Sequence, residues 1–189
     1  PEVFLKKNKA GYNIDALAGS MKNKGEDAKK VDWGDKEREE QLFVESYIEA
    51  ILKSSGIEDF QKVGPETISA GPLWHLRTRF KLADEIQLGP LIKQLHPTPA
   101  VCGMPKWEAM DFIVENEPYE RSWYTGFWGP VNLANKQGAQ FYVNLRCLHW
   151  CGKRLSLFAG GGITSGSELD KEWEETEVKM NTLRDVLAL

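Results

Sequence analysis

Two pairs of glutamates share one spacing in distant parts of the sequence. The segment DKEREEQ holds Glu37 and Glu40, and the segment KEWEETEVK holds Glu172 and Glu175. Glutamates three residues apart lie on one face of a helix, and a few carboxylate oxygens are the ligands that a hard cation such as Mg²⁺ takes. The same spacing is typical of solvated helix starts, where acidic side chains interact favourably with the helix dipole. Two alternatives are therefore open, a divided cation site and two solvent-exposed helix ends.

The helical pattern around each pair predicts that these glutamates face inward. At about 100° per residue, they lie on the same side of each helix as the apolar residues that follow. These are Val44, Tyr47 and Ile51 in the first helix, and Val178, Thr182, Leu183 and Val186 in the second, where Lys179 joins them. A carboxylate on a core-facing stripe costs free energy unless something compensates its charge. A divalent cation would do so, which favours the metal-site alternative.

Other residues that could do chemistry have equally plain structural explanations. His75, in LWHLRTRF, could be a general base or a ligand, although a strand histidine is more often structural. Arg146 lies inside an otherwise apolar strand and would need a carboxylate partner from the protein or from a ligand. Gly160 to Gly162 could present backbone N–H groups to an anion, but such glycines are also typical of a turn at a strand end.

The composition is that of an ordinary globular protein with an acidic balance. The chain has 189 residues, of which 41% are hydrophobic, and its net charge is −4. This length suits one domain with a sizeable core, and the acidic balance argues against nucleic-acid binding, which needs a basic face. No apolar run reaches the roughly 18–20 residues of a membrane helix, and three sparse cysteines imply no disulfide framework. We expect a cytoplasmic protein without a nucleic-acid or membrane partner.

The N-terminal half of the sequence predicts a hairpin, a loop, a helix and a strand. PEVFLK and GYNIDALAG alternate as two strands joined by a polar turn, and residues 20–34 show no period, which is typical of an exposed loop. A helix is predicted from Asp35, which can cap it, to Gly56. ETISAGPLWHLRTRFKL alternates as one strand, with His75 and Arg77 on the same side.

The C-terminal half predicts two helices, an antiparallel meander and a last helix. The two helices cover residues 85–94 and 105–117, on either side of the proline-rich LHPTPAVCGMP. SWYTGFWGPVNL, AQFYVNLRCLHW and RLSLFAGGGI are aromatic and β-branched runs, separated by ANKQG and CGK, as in a meander. The last helix is predicted over residues 167–187. Since strands and helices mix without a βαβ rhythm, the predicted fold class is α+β.

Taken in order, ten blocks of the sequence resemble those of the chorismate-binding enzymes, and most closely those of the isochorismate synthases. The blocks are PEVFL, ALAGS, DKEREEQ, LWHL, LHPTPAVCG, ENEPYER, YTGFWGPVN, NLRC, FAGGGI and EWEETEVK. Together they span essentially the whole chain. One short motif would be weak evidence, whereas this many in the same order are specific.

This resemblance implies a fold and a reaction. The family's fold is α+β, with two large antiparallel sheets flanked by helices, and its enzymes use Mg²⁺ to bind chorismate. Residues 1–189 would form the C-terminal portion of this chorismate-binding domain, with the N-terminal half of the family fold missing. Isochorismate synthases add water at one ring carbon while a hydroxyl group leaves another. HPTPA together with NLRC favours these water-using enzymes over their ammonia-using relatives.

The resemblance also implies roles for individual residues. Glu2 would be the general acid that protonates the departing hydroxyl group. Glu40 and Glu175 would be the principal Mg²⁺ ligands, with Glu37 and Glu172 beside them. The substrate-binding residues would be Gly19, Ser20, His75, Thr98, Ala100, Arg146, Gly160, Gly161, Gly162 and Lys179. Arginine, lysine, backbone N–H groups and a cation are the groups that can hold a dicarboxylate such as chorismate.

The sequence departs from the family pattern at two points. The base of isochorismate synthases is a lysine upstream of the block that matches PEVFL, and no lysine of this chain matches its motif. Gln41 stands where many relatives have histidine, next to Glu40, and would alter the surroundings of a bound metal. We therefore expect an isochorismate synthase as the parent protein, and this chain by itself to be inactive.

Two alternatives to this assignment stay open. A salicylate synthase would make isochorismate and then eliminate pyruvate from it. The chain could instead be a non-catalytic fragment that self-associates as a homo-oligomer through unpaired sheet edges. If the parent is an isochorismate synthase, menaquinone biosynthesis is the first expectation for its product and siderophore biosynthesis the second.

Overall fold

The structure is a computed structural model that describes residues 2–70, 73–83, 86–133 and 138–187. Helices and strands mix along the chain, so the predicted α+β class is confirmed. The elements in chain order are β1 (Glu2–Asn8), β2 (Gly11–Lys22), α1 (Asp35–Ser54), β3 (Phe60–Ala70), β4 (Leu73–Leu82), α2 (Leu88–Leu95), α3 (Lys106–Asn116), β5 (Phe127–Trp128), β6 (Ala139–Val143), β7 (Cys147–Cys151), β8 (Arg154–Phe158) and α4 (Leu169–Leu187).

Six strands form one antiparallel sheet in the order β3-β4-β2-β1-β6-β5, and β7 and β8 form a separate two-stranded sheet. In the large sheet, Leu5 lies opposite Ile14, and Ile14 lies opposite Phe80. All three side chains are fully buried. Because side chains alternate between the two faces of a strand, this row defines the face of the sheet that carries the core.

Helix α1 packs on this core face. Its residues Val44, Ile48 and Leu52 are buried in one cluster with the apolar residues of β1, β2 and β4. Leu91 and Leu95 of α2 extend the same cluster. The predicted apolar stripe of the first long helix is therefore confirmed, and burial of such side chains is the main favourable term in folding.

Three local predictions in the N-terminal half are wrong. Residues 20–34 are not one exposed loop, because β2 continues through Lys22 and Trp33 is buried at 6% exposure. Asp35 does not cap α1, since it is the first helical residue and follows Gly34. ETISAGPLWHLRTRFKL is not one strand but parts of the paired strands β3 and β4. The Gly-Pro pair between them, residues 71–72, lies outside the described residues.

The predicted meander is correct only in part. β5 pairs with β6, and β7 pairs with β8, each antiparallel. The run AQFYVNLRCLHW is broken between β6 and β7, however, where Arg146 has a φ of 50°. A non-glycine residue in this region is uncommon, and the chain leaves the large sheet there. Most of the predicted separator ANKQG, residues 134–137, lies outside the described residues, as does residue 85 of a predicted helix.

The described helices include none that is both long enough and apolar enough to cross a membrane. The outer strands of the large sheet are β3 and β5. Pro65 lies within β3, and proline together with charged side chains is typical of an edge that resists further pairing. Self-association through sheet edges stays a prediction.

Candidate functional site

The predicted site residues come from strand ends that lie at one end of the large sheet. Glu2 begins β1 and pairs with Val143 at the end of β6, and Arg146 follows soon after. Ser20, near the end of β2, lies opposite His75, near the start of β4. Because neighbouring antiparallel strands run in opposite directions, starts and ends alternate along this end of the sheet. Residues distant in sequence are brought together in this way.

The first turn of α1 packs against the same end. At Gly19, φ is +61°, and a side-chain carbon added there would lie 2.8 Å from the carbonyl oxygen of Glu37. Glycine is suited to both conditions, so the helix can approach β2 closely. The buried Gln41 fixes the approach, because its Oε1 accepts from the Ala18 N–H at 3.0 Å and its Nε2 donates to the Ala16 carbonyl at 3.3 Å.

A cavity of about 740 Å³ opens where these elements meet. Its polar wall combines Glu2, His75 and Arg146 from the strands with Glu40 and Lys179 from the helices. The rest of the lining contains both apolar and polar residues. The lining also includes Ala100, Gly160, Gly161, Gly162, Phe43, Met104, Phe112 and Ile163.

Three predicted substrate-binding residues lie beside the cavity and do not line it. The buried Thr98 lines a smaller adjoining cavity together with Ala100. Ser20 Oγ donates a hydrogen bond to Glu175 Oε1 at 3.1 Å. Gly19 makes room for α1, as described above. The structure thus gives Ser20 and Gly19 supporting positions, and their predicted contacts with a substrate ring stay predictions.

The two glutamate pairs converge around a lysine. Lys36 Nζ contacts Glu172 Oε1 closely and lies 3.6 Å from Glu40 Oε1 and 3.8 Å from Glu175 Oε2. Lys179 Nζ lies 2.7 Å from Glu175 Oε1. We call these five residues the charged cluster. Three of the four predicted metal ligands therefore meet, and two ammonium groups lie among them.

The fourth predicted ligand, Glu37, does not join the charged cluster. A side-chain carbon added at Gly34 would lie 2.6 Å from Glu37 Oε2, so this carboxylate lies over the residue before α1. An acidic group at a helix start is favoured by the helix dipole. Of the two alternatives for this spacing, the acidic helix start therefore describes Glu37. Glu172, by contrast, is buried at 5% exposure.

Burial and the neighbouring opposite charges shift the pKa values of the cluster residues in opposite directions. Burial raises the pKa of Glu40, although the charge of Lys36 opposes the shift. Burial also acts to raise the pKa of Glu175, but the charge and hydrogen bond of Lys179 outweigh it, and this pKa is lowered. Burial acts to lower the pKa of Lys36, yet its hydrogen bond with Glu172 and the nearby carboxylates raise it overall. Lys36 is therefore held as an ammonium ion.

The charged cluster fits a hard cation that needs few protein ligands. In the described ranges no three His, Cys, Asp or Glu side chains are arranged to hold a metal ion together. Mg²⁺, however, is commonly bound by one or two carboxylates and completed by water or substrate oxygens. Glu172 Oε2 is buried and has no hydrogen-bond partner among the described residues. An unpaired buried carboxylate oxygen is costly, and a cation would satisfy it.

The strand wall of the cavity also contains an ion pair and an unpaired group. Arg146 donates a close hydrogen bond from its guanidinium group to Glu2 Oε1, so the carboxylate partner expected for this arginine is found in the protein. His75 is only 4% exposed, and its Nε2 has no hydrogen-bond partner among the described residues. Burial lowers the pKa of His75. A neutral imidazole nitrogen is therefore available to a ligand in the cavity.

Lys36 and Tyr124 take part in the site although sequence reasoning did not select them. Lys36 precedes Glu40 by four residues, a spacing that places both on one helix face, so a signal existed. Tyr124 stacks on Phe158 with ring centroids 5.3 Å apart. A side-chain carbon added at Gly160 would lie 2.6 Å from Tyr124 Oη. No sequence pattern marks this contact, because it depends on how a loop folds over β8.

Comparison with known proteins identifies the family. A family model described as "Chorismate binding enzyme" matches residues 1–188. Isochorismate synthase EntC of Escherichia coli K12 is 31% identical over 198 residues, which cover 100% of this chain and 50% of EntC. The chain thus spans about half the length of this relative.

Solved structures give the same result. The crystal structure of a putative 2,3-dihydroxybenzoate-specific isochorismate synthase, DhbC from Bacillus anthracis, superimposes with a TM-score of 0.85 at 27% identity, covering 100% of this chain and 52% of that one. MenF, the menaquinone-specific isochorismate synthase of Escherichia coli, gives a TM-score of 0.81 at 30% identity and covers 97% and 44%. Since the family model matches residues 1–188 and the fold is that of solved isochorismate synthases, this chain belongs to the family of chorismate-binding enzymes.

Proposed function

We propose that this chain is the C-terminal portion of an isochorismate synthase, which converts chorismate to isochorismate with the help of Mg²⁺. One observation carries the proposal. Arg146, Lys179 and Glu40 line one cavity, and Glu40 and Lys179 also belong to the charged cluster, whose carboxylates suit a hard cation. A ring dicarboxylate is the class of substrate that needs both an arginine and a metal ion, because each can neutralise one carboxylate.

Arg146 would bind one carboxylate of the substrate. In the structure it is paired with Glu2, at the position of the expected general acid. A substrate carboxylate entering the cavity would compete with Glu2 for the guanidinium group. Glu2, released from the arginine, would take up a proton from water and donate it to the departing hydroxyl group, which leaves as a water molecule.

Glu40, Glu172 and Glu175 are the carboxylates from which Mg²⁺ would take one or two ligands. Mg²⁺, when bound, supplies positive charge that neutralises and positions the second carboxylate of the substrate. Lys179 Nζ also donates a hydrogen bond to the Gly160 carbonyl at 3.0 Å, which fixes the glycine loop beside the cavity. His75 offers its unpaired nitrogen to a substrate oxygen.

The water that attacks the ring needs a base. Among the described residues that line the cavity, Lys179 is the sole lysine, and it is engaged by Glu175 and Gly160. We infer that the base comes from a lysine outside this chain, as the family resemblance implies. This chain alone would then bind chorismate without converting it. For the parent protein we propose a role in menaquinone biosynthesis, which the name of MenF supports.

The test is to measure chorismate binding by this chain and product formation by a longer protein that contains it. We expect binding in the presence of Mg²⁺, measured by calorimetry, and a loss of at least tenfold in affinity for Arg146→Gln, since a charge-assisted bidentate contact is removed. The exposed arginine Arg154 supplies the matched control, Arg154→Gln, which should bind as the wild type does.

Chromatography of the products then separates the candidate reactions. Isochorismate as the final product of the longer protein supports the proposal, and salicylate would show that pyruvate is eliminated as well. Chorismate binding that is unaffected by Arg146→Gln would contradict the assigned site. Rapid isochorismate formation by this chain alone would contradict the inference that the base lies elsewhere.

A further inference from the structure

Lys36 lies among the three carboxylates of the charged cluster. Its ammonium group contacts Glu172 and lies within 4 Å of both Glu40 and Glu175. We propose that Lys36 is a built-in, partial substitute for the divalent cation: its single charge offsets part of the charge of the three carboxylates when no metal is bound, and its side chain swings aside when metal binds. This inference rests on the metal site of the proposed function and assigns a role to a residue outside the ligand set.

The position of Lys36 in its helix supports this role. It is the second residue of α1, where the helix dipole disfavours a positive charge. A lysine placed against this preference requires a compensating interaction, and the carboxylates from α4 provide one. Sites where a local preference is broken are often functional. The position of Lys36 thus combines an unfavourable interaction with the helix dipole and a favourable one with the carboxylates.

The neutralisation that Lys36 provides is incomplete. Its contact is with Glu172 Oε1, while Glu172 Oε2 stays buried without a partner among the described residues. A lysine ammonium is a single point charge, whereas a metal ion can be bound by oxygens of several carboxylates at once. The charged cluster is therefore better satisfied by a divalent cation than by Lys36.

Lys36 is also the more exposed of the two lysines in the cluster. Its side chain is 25% exposed, and that of Lys179 is 13% exposed. Lys179 is held additionally by the Gly160 carbonyl. Lysine has a long flexible stem, so Lys36 can turn toward solvent without disturbing α1. When a cation enters, Lys36 is accordingly the group that moves, and Lys179 keeps its contacts.

Chemical labelling of the wild-type chain tests this displacement. Reductive methylation of lysines, followed by mass spectrometry, reports how freely each amine reacts. We expect the labelling rate of Lys36 to rise at least threefold in MgCl₂ relative to KCl of equal ionic strength, because salt alone also weakens ion pairs. The rates of Lys179 and of the exposed Lys53 should stay unchanged.

A second measurement uses Lys36→Met, which keeps the apolar stem and removes the charge. We expect Mg²⁺ to bind this variant about tenfold more tightly by calorimetry, which corresponds to ~1.4 kcal/mol. Lys53→Met, on an exposed part of the same helix, is the control and should leave the affinity unchanged.

The outcomes separate the two proposals. If Mg²⁺ binds the wild-type chain but leaves the labelling of Lys36 unchanged, Lys36 is a permanent ion-pair partner and the inference fails, while the metal site stands. If neither the wild type nor Lys36→Met binds Mg²⁺, the metal part of the proposed function fails together with this inference.

Discussion

The region around α1 and the region around α4 are held in place by different forces. Helix α1 covers the large sheet with fully buried apolar side chains such as Ile48 and Leu52. Helix α4 has a single buried residue among those described, and it is charged, Glu172. Apolar side chains of α4 lie in solvent, among them Leu169 at 85% and Trp173 at 68% exposure. The framework thus depends on apolar packing and the site on polar contacts.

Because of this difference, the α1 region should contribute mainly to stability and the α4 region mainly to ligand binding. Polar contacts attach α4 to the rest of the chain, including those of Lys36 with Glu172 and of Ser20 with Glu175. Such contacts contribute little net free energy each, but they have a defined geometry. Substitutions near α1 should therefore change the free energy of unfolding strongly. Substitutions near α4 should change ligand binding with small effects on stability.

The largest expected effect is that of replacing a leucine of α1 by alanine, compared with the same replacement in α4. Leu52→Ala should lower the free energy of unfolding by about 2–5 kcal/mol, because Leu52 is fully buried and a cavity would remain. Leu169→Ala should change it by less than about 0.5 kcal/mol. Urea denaturation measures both. A large effect of Leu169→Ala would show that α4 is packed against the protein as tightly as α1.

A somewhat smaller effect is expected where α1 meets β2. Gln41→Leu removes the hydrogen bonds to Ala18 and Ala16 and the one to Thr78 Oγ1 at 3.1 Å. Buried polar groups left without partners should reduce stability by about 1–3 kcal/mol. Gln61→Leu, at an exposed position of β3, is the control for the change of side chain. If both variants unfold at the same urea concentration, Gln41 does not fix the helix.

The pH dependence of stability should also originate in the framework region. His96 packs between Phe4 and Phe127, and burial, together with the charge of Lys106, lowers its pKa to about 4. A lowered pKa favours the neutral form in the folded state, so the stabilisation is present above pH 6.5 and is lost as the pH falls toward 4. The loss should be about 1–2 kcal/mol, allowing for partial exposure.

The variant His96→Leu isolates this contribution. Its stability should fall less steeply than that of the wild type between pH 6.5 and 4, as measured by urea denaturation at each pH. His149→Leu, at an exposed position of β7, should keep the wild-type slope. Equal slopes for the wild type and His96→Leu would mean that carboxylates cause the whole acid dependence.

Among the substitutions that remove a polar contact, the smallest effect on stability is expected at the attachment of α4. Ser20→Ala removes the hydrogen bond to Glu175 and should lower the free energy of unfolding by about 0.5–1.5 kcal/mol. Amide hydrogen exchange should become faster in α4 and stay unchanged in α1. Ser54→Ala, at an exposed position in α1, serves as the control. Faster exchange throughout the chain would contradict the separation of the two regions.

Periodicity predicted the parts of the fold that a single element determines. The stripe of Val44, Tyr47 and Ile48 placed α1 on the core, because a helix in contact with a sheet must bury one face. The same reasoning failed for β3 and β4, where one alternating run concealed a hairpin. It also failed at Arg146, because a left-handed residue with a long side chain has no sequence signal. Both failures concern where the chain turns.

The site was predictable in its residue types and not in its arrangement. The spacing of Glu40, Glu172 and Glu175 predicted inward-facing carboxylates, and these residues do converge. The spacing of Glu37 was the same, yet this side chain lies over Gly34. Glu172 also lies in the first turn of its helix and is buried, so the position within a helix does not decide between the two orientations.

The sequence by itself determined the fold class, the helix that covers the sheet and the family to which the chain is similar, because these depend on periodicity and on the order of short motifs. Only the tertiary structure decided that Lys36 lies among the glutamates and that Glu2 is paired with Arg146. More than a hundred residues separate Lys36 from Glu172 along the chain, and more than a hundred separate Glu2 from Arg146. Coulomb interactions depend on distance in space, and the folding of the sheet fixes that distance.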